Sequence, residues 1–411
     1  MVRRIDIDKP IDPLTVAIER PFLDDAAYDI VLQHAVLPDN EWSRQQSHRP
    51  ALRSPATIGD LIRHVRWFLS REPLKSIIIA EAAIRVAEAQ REEETDQREA
   101  AHRKGEAWQA YASALAEMED YRRALDATIT AERLYNSSGT VRPEGMPSLK
   151  LIRARILSAM GENESALLFA EDAAQIFLLY EDHARYVTAR LFYANILMAA
   201  SRYKEALRAF DKAAQIAKED DNTELLAHIV ASTGYALQEQ ANIDRIKSED
   251  QAAIKFERAR NCQDHAITMF ESLGLSLEAA HVRWTIAKGF LLRGNYDEGI
   301  TRLKASRDEY IRLGMPIIAA EIAVDITGAL LLAGRGAWIP QLCNEAIVVL
   351  ADAGLEAEGQ RALAYLQEES SNRQQRKAVT EDISRAIAHV KTFLTRLRRD
   401  PSAPFEGPTE A

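Results

Sequence analysis

The residues that could do chemistry in this 411-residue chain are few, and their spacing argues against most chemistries. Nine histidines are scattered, and none stands beside a cysteine or carboxylate at metal-ligand spacing. Cys262 and Cys343 are too few for a disulfide framework or a structural zinc site. Cys343 falls one period after Leu303, which predicts a buried small hydrophobe. Gly334-Arg335-Gly336 lacks the preceding strand that a phosphate-cradling glycine loop needs, so it predicts a helix turn. The P-loop pattern and the H-E-x-x-H pattern are both absent. These observations predict no catalytic residue, no cofactor and no metal, and hence a chain that is not an enzyme.

Composition agrees with a binding protein. The hydrophobic fraction of 47% and charged fraction of 28% describe a soluble folded chain, with Gly (17) and Pro (14) sparse enough for helices. A net charge of −10 gives no general attraction to nucleic acid or to an anionic membrane. Met1-Val-Arg-Arg-Ile-Asp-Ile-Asp has no apolar signal core, and no apolar run reaches the ~18 residues of a membrane span. The expected location is the reducing cytoplasm.

The elements that must position any site repeat. Gly274, Gly314 and Gly354 are spaced by 40 residues, Gly294 and Gly334 share an offset between them, and Ala279-Ala280 is echoed by Ala319-Ala320. A fixed period of this length means stacked helical units, none of which can bury its apolar face alone. Small residues hold one slot in each second helix: Ala124, Ala166, Ala206, Ala259 and Gly299. Two helices approach closely only where a side chain is that small. The step from Gly234 to Ala287 exceeds the period by 13, which places an insertion near Glu239–Ala253, between the helices of one pair. Insertions in repeats gather on one surface and are often functional; a longer pair without a role is the competing reading.

The organisation expected is an irregular N-terminal cap or arm over 1–56, repeats over 57–370 and a polar linker over 371–379. An amphipathic helix over 380–400 and a disordered tail over 401–411 follow. The last helix carries Ile383, Ile387, Val390, Phe393, Leu394 and Leu397 in one stripe, with Arg385, Lys391, Arg396, Arg398 and Arg399 around it. A cap over the last repeat is the favoured role, docking to a partner or anionic surface the other. The fold class predicted is all-α, an α-solenoid (right-handed superhelix) of about seven antiparallel helix pairs with a C-terminal capping helix.

At these residues the chain resembles the tetratricopeptide repeat family. Trp108, Tyr121, Ala124 and Ala131 match its pattern in one repeat, and Tyr203, Ala206, Phe210 and Ala213 in another. Tyr296 in "RGNYDEG" matches the turn, and the resemblance covers roughly Arg98 to Glu368. The period of 40–42 departs from the family's ~34 and looks like the long-helix repeats of bacterial regulatory and peptide-sensing proteins. The resemblance implies that the first helix of each pair lines a concave groove and supplies ligand contacts. Carried along by the 40-residue step, that slot holds Arg155, Asn195 and Tyr235, then Lys288, with His228, His281 and Trp284 one turn away. Such a row suits an extended protein or peptide segment, Asn reading backbone amides while Arg and Lys meet carboxylates. An ordinary solvated inner face is the competing reading. The function implied is a protein- or peptide-binding regulatory scaffold, with a small-peptide sensor as the alternative. A nucleic-acid-associated regulator is the rival class, which the acidity disfavours.

Overall fold

The computed structural model describes residues 55–69, 73–89, 96–139, 145–246, 248–352, 357–373, 380–399 and 403–405. Sixteen α-helices and one 3-10 turn make up this part of the chain. In order they are α1 (Pro55–Phe68), α2 (Pro73–Glu88), α3 (Gln97–Glu117), α4 (Tyr121–Ser138), α5 (Met146–Ala159) and α6 (Asn163–Leu179). Next come α7 (His183–Ala199), α8 (Tyr203–Glu219), α9 (Thr223–Asp244), α10 (Glu249–Ser272), α11 (Ser276–Leu292) and α12 (Tyr296–Arg312). The series closes with α13 (Pro316–Leu332), α14 (Ile339–Asp352), α15 (Ala357–Arg373) and α16 (Thr380–Arg399). Seven consecutive pairs followed by α15 and α16 give the all-α solenoid that the period predicts. The N-terminal arm lies outside the described residues except at 55–56, where α1 has already begun. The linker lies outside them from 374 onward; residues 371–373 still belong to α15.

The described residues divide into two compact units, one before and one after the boundary between Ser232 and Thr233. In the first, successive helices from α1 to α8 pack on one another, and α3 also meets α1 and α5. In the second, α10 to α16 pack in the same serial way, and α16 additionally lies along α13.

The turns explain why the pattern is so regular. Within each run a residue with positive φ closes a helix every 20 residues: 119 and 139; 161, 181, 201 and 221; 274, 294, 314 and 334. The following N–H then donates to a carbonyl five residues back, as from Asp182 to Phe177 and from Asn295 to Phe290. This bond recurs nine times among the described residues, at 2.7–3.0 Å, and its acceptor residue is buried each time. It is the helix-ending motif in which a left-handed residue satisfies orphan carbonyls while an apolar neighbour packs inward. Asp120, Asp182, Asn222 and Asn295 then cap the next helix with a side-chain oxygen. One tight turn therefore ends one helix and starts the next. Four of the left-handed positions are Glu119, Glu181, Ser201 and Asp221, so a search for glycines finds the pattern unbroken only in its later part.

First and second helices of a pair differ in surroundings. In α13, twelve of 17 residues are buried; in α12, five of 17. The first helix is packed on several sides and reads as nearly uniform apolar sequence. The second keeps one apolar stripe and a charged outer face. Gly299 shows how tight the pairing is: a Cβ there would stand 2.3 Å from Leu291 Cδ2. The insertion lengthens both helices instead of forming a loop, since α9 has 22 residues and α10 has 24 against the usual 17.

Candidate functional site

In the first unit, Arg155 on α5 donates from Nη1 to Glu117 Oε1 at 2.5 Å and from Nη2 to the Ser113 carbonyl at 3.3 Å. Both partners are on α3, so this guanidinium stitches neighbouring first helices and its charge is met inside the protein. Asn195 on α7 is different. It is half-buried, yet its Oδ1 is fully covered and has no hydrogen-bond partner among the described residues. A covered acceptor without a partner costs about 1–3 kcal/mol, and such atoms in folded proteins mark strain or a ligand position.

In the second unit, Tyr235 on α9 is 39% exposed. His281, Trp284 and Lys288 follow one face of α11, but they do not line an open surface. Trp284 is only 1% exposed; its indole Nε1 donates to Asp325 Oδ2 at 3.0 Å, and its ring meets His281 and Tyr310 edge-on. The expectation that Trp284 lines a groove is therefore corrected: a large ring on a helix packed on several sides becomes core. Lys288 lies 4.4 Å above that ring and 3.8 Å from Asp325. Burial raises the carboxyl of Glu239 above its ordinary range, and the charge of Lys288 opposes the rise. His281 is itself buried.

Sequence spacing gave no sign of what holds this face. Asp325 on α13 accepts Lys391 Nζ of α16 at 2.7 Å as well as the Trp284 indole. A turn away, Arg398 of α16 meets Glu321 of α13 at 3.2 Å, with side-chain exposures of 5% and 2%. The pairs span 66 and 77 residues, so no local pattern encodes them. Lys391 and Arg398, expected around the stripe of the last helix, turn toward carboxylates on α13, the half-buried Asp325 and the buried Glu321. Tyr310, fully buried nearby, has a phenol pushed up chiefly by burial, then by Glu309, with Arg398 opposing. Beyond α16, Ala403 is buried and Phe405 packs 5.0 Å from Phe393 and 5.5 Å from His389. The rest of the tail expected to be disordered lies outside the described residues.

The predicted row thus falls on both units, with Arg155 and Asn195 in the first and Tyr235, His281, Trp284 and Lys288 in the second. Among the described residues no group of three or more His, Cys, Asp or Glu could hold a metal ion. No helix among them is long and apolar enough to cross a membrane.

Solved structures with this architecture exist. A Rap protein complexed with Competence and Sporulation Factor matches with a TM-score of 0.51 at 12% identity, covering 90% of this chain and 96% of that one. Aspartyl phosphate phosphatase F from Bacillus subtilis matches with a TM-score of 0.51 at 13% identity, covering 96% and 100%. The likeness is one of fold. No protein-family model and no curated protein sequence matches the chain.

Proposed function

We propose that the chain is a non-catalytic regulatory scaffold of the cytoplasm that binds a peptide or protein segment along its first helices. The observation that carries this reading is Asn195, half-buried at the slot, whose Oδ1 has no partner among the described residues and would accept a backbone N–H once the side chain turns outward. Support comes from the fold, since a protein of the same architecture is complexed with Competence and Sporulation Factor. Arg155 is neutralised by Glu117, so its part is to hold α5 against α3 beside the row; capture of a terminal carboxylate is not its role. Lys288 is likewise engaged with Asp325. Asn195 is the residue left to read a partner's backbone.

The test is panning of a random-peptide phage library on the full chain and on Asn195→Leu. Enrichment of peptides by the wild type, with at least a tenfold lower yield on Asn195→Leu, is the expected result. Equal yield on both would contradict the proposal.

A further inference from the structure

The insertion builds a cavity that the row of first helices does not use. Its extra residues carry α9 and α10 past the end of the next pair, and a cleft of about 630 Å³ opens between α10 and the C-terminal end of α11. One face of α10 forms a wall, with Phe256, Glu257, Arg260 and Asp264 recurring at helical spacing. Arg245, just past α9, and Arg293, at the C-cap of α11, complete it. Arg245 Nη1 donates to the Leu292 carbonyl at 2.6 Å, which ties the overhang to the last turn of α11.

The charges there are unevenly matched. Three guanidiniums surround the buried Phe290 ring: Arg293 at 4.4 Å, Arg302 at 4.7 Å and Arg260 at 5.9 Å. Arg302 pairs with Glu298 at 2.6 Å, and Arg260 stands 3.6 Å from Asp264. Arg293 stacks on two rings, lying 5.2 Å from Phe256 as well as over Phe290, and among the described residues no carboxylate reaches within 4.0 Å of it. Burial, then the charges of Arg260 and Arg302, pull its pKa below the ordinary guanidinium value. A guanidinium held on aromatic faces is oriented, and its N–H fork suits a planar carboxylate.

We infer that this cleft is a binding site for an α-carboxylate carried next to an apolar side chain, with Arg293 as the anion contact and Phe256 as the apolar wall. Of the two lining guanidiniums with no carboxylate within 4.0 Å among the described residues, Arg245 is already bonded to the Leu292 carbonyl, which leaves Arg293 to meet one negative charge. Glu249, Glu257 and Asp264 on the same wall disfavour a dianion such as phosphate. The volume suits a ligand of amino-acid to small-peptide size. A free apolar amino acid and the C-terminus of a peptide share this chemistry. The site stands apart from the Asn195 reading and does not depend on it.

The test is calorimetric titration of the full chain with N-acetyl-L-phenylalanine and with its neutral amide. The acid should bind at least tenfold more tightly than the amide, and Arg293→Gln should lose at least tenfold, with Arg293→Lys between. Asn195→Leu should leave this binding unchanged. The acid–amide comparison on the wild type stands even where a variant folds poorly. L-phenylalanine binding more tightly than Gly-Gly-Phe would name a free amino acid, whose ammonium can meet Glu257; the reverse order would name a peptide terminus. Absence of binding by the acid, equal binding of acid and amide, or full binding by Arg293→Gln would overturn the inference. So would phosphate competing as strongly as the acid.

Discussion

At the scale of single residues, the informative atoms are those whose environment disagrees with their chemistry. Asn195 keeps a covered acceptor without a partner, and Arg293 keeps a cation that stacks on Phe290 with no carboxylate within 4.0 Å among the described residues. Cys343 shows the opposite case, a residue in agreement with its surroundings. The sequence aligned it with Leu303 in the core, and it is 1% exposed, with burial pushing its thiol up to about 12. A raised acid pKa favours the neutral form in the folded state. Its contribution to stability is therefore intact below the unfolded thiol's value of ~8.5 and is lost as the pH rises from there to about 12. Iodoacetamide at pH 8 should accordingly leave Cys343 unmodified in the native chain and alkylate it in urea, as read by peptide mass spectrometry. Labelling of the native chain at the unfolded rate would show that the site opens. Trp284 was legible as important but not as buried, because spacing along α11 cannot tell a groove wall from a face that meets α12 and α13.

At the scale of elements, α16 is the part that sequence reading described least well. Its apolar stripe was plain, and Ile383, Val390, Phe393, Leu394 and Leu397 are all buried. Spacing places its basic residues around that stripe, yet Arg398 enters the core to meet Glu321 and Lys391 meets Asp325. Partners 66 and 77 residues away leave no periodic trace. The buried pair gives a sharp expectation. Arg398→Ala takes from the buried Glu321 the cation it meets and should cost about 3–5 kcal/mol in urea denaturation. Arg398→Met with Glu321→Leu should recover most of that loss, because two apolar side chains avoid desolvating either charge. A single variant as stable as wild type would mean that α16 does not stay on α13.

At the scale of the whole molecule, the repeat was legible because turn chemistry imposes it. Glycines at 274, 294, 314 and 334 announced the 20-residue step, while Glu119, Glu181, Ser201 and Asp221 hid the same left-handed geometry behind ordinary side chains. Those residues give up about 1–2 kcal/mol of backbone preference, less the roughly 0.5–1 kcal/mol that glycine would lose in entropy. Ser201→Gly should therefore raise the urea midpoint modestly. Gly294→Ala should lower the unfolding free energy by about 1 kcal/mol, and the midpoint with it; open space surrounds its Cβ position, so backbone strain alone would be responsible. Opposite signs would refute the shared turn geometry. The partner stayed illegible for a physical reason. A repeat writes its packing into the sequence every 40 residues, but a ligand needs only a few side chains in one or two repeats.

The most direct measurement is the affinity of the best phage-selected peptide for wild type and Asn195→Leu, taken with the melting temperature of each. Leu is close to Asn in shape and removes a covered acceptor that has no partner, so melting should be unchanged or higher while affinity falls at least tenfold. Undiminished affinity, or a loss of affinity that merely tracks a drop in melting temperature, would contradict the role assigned to Asn195.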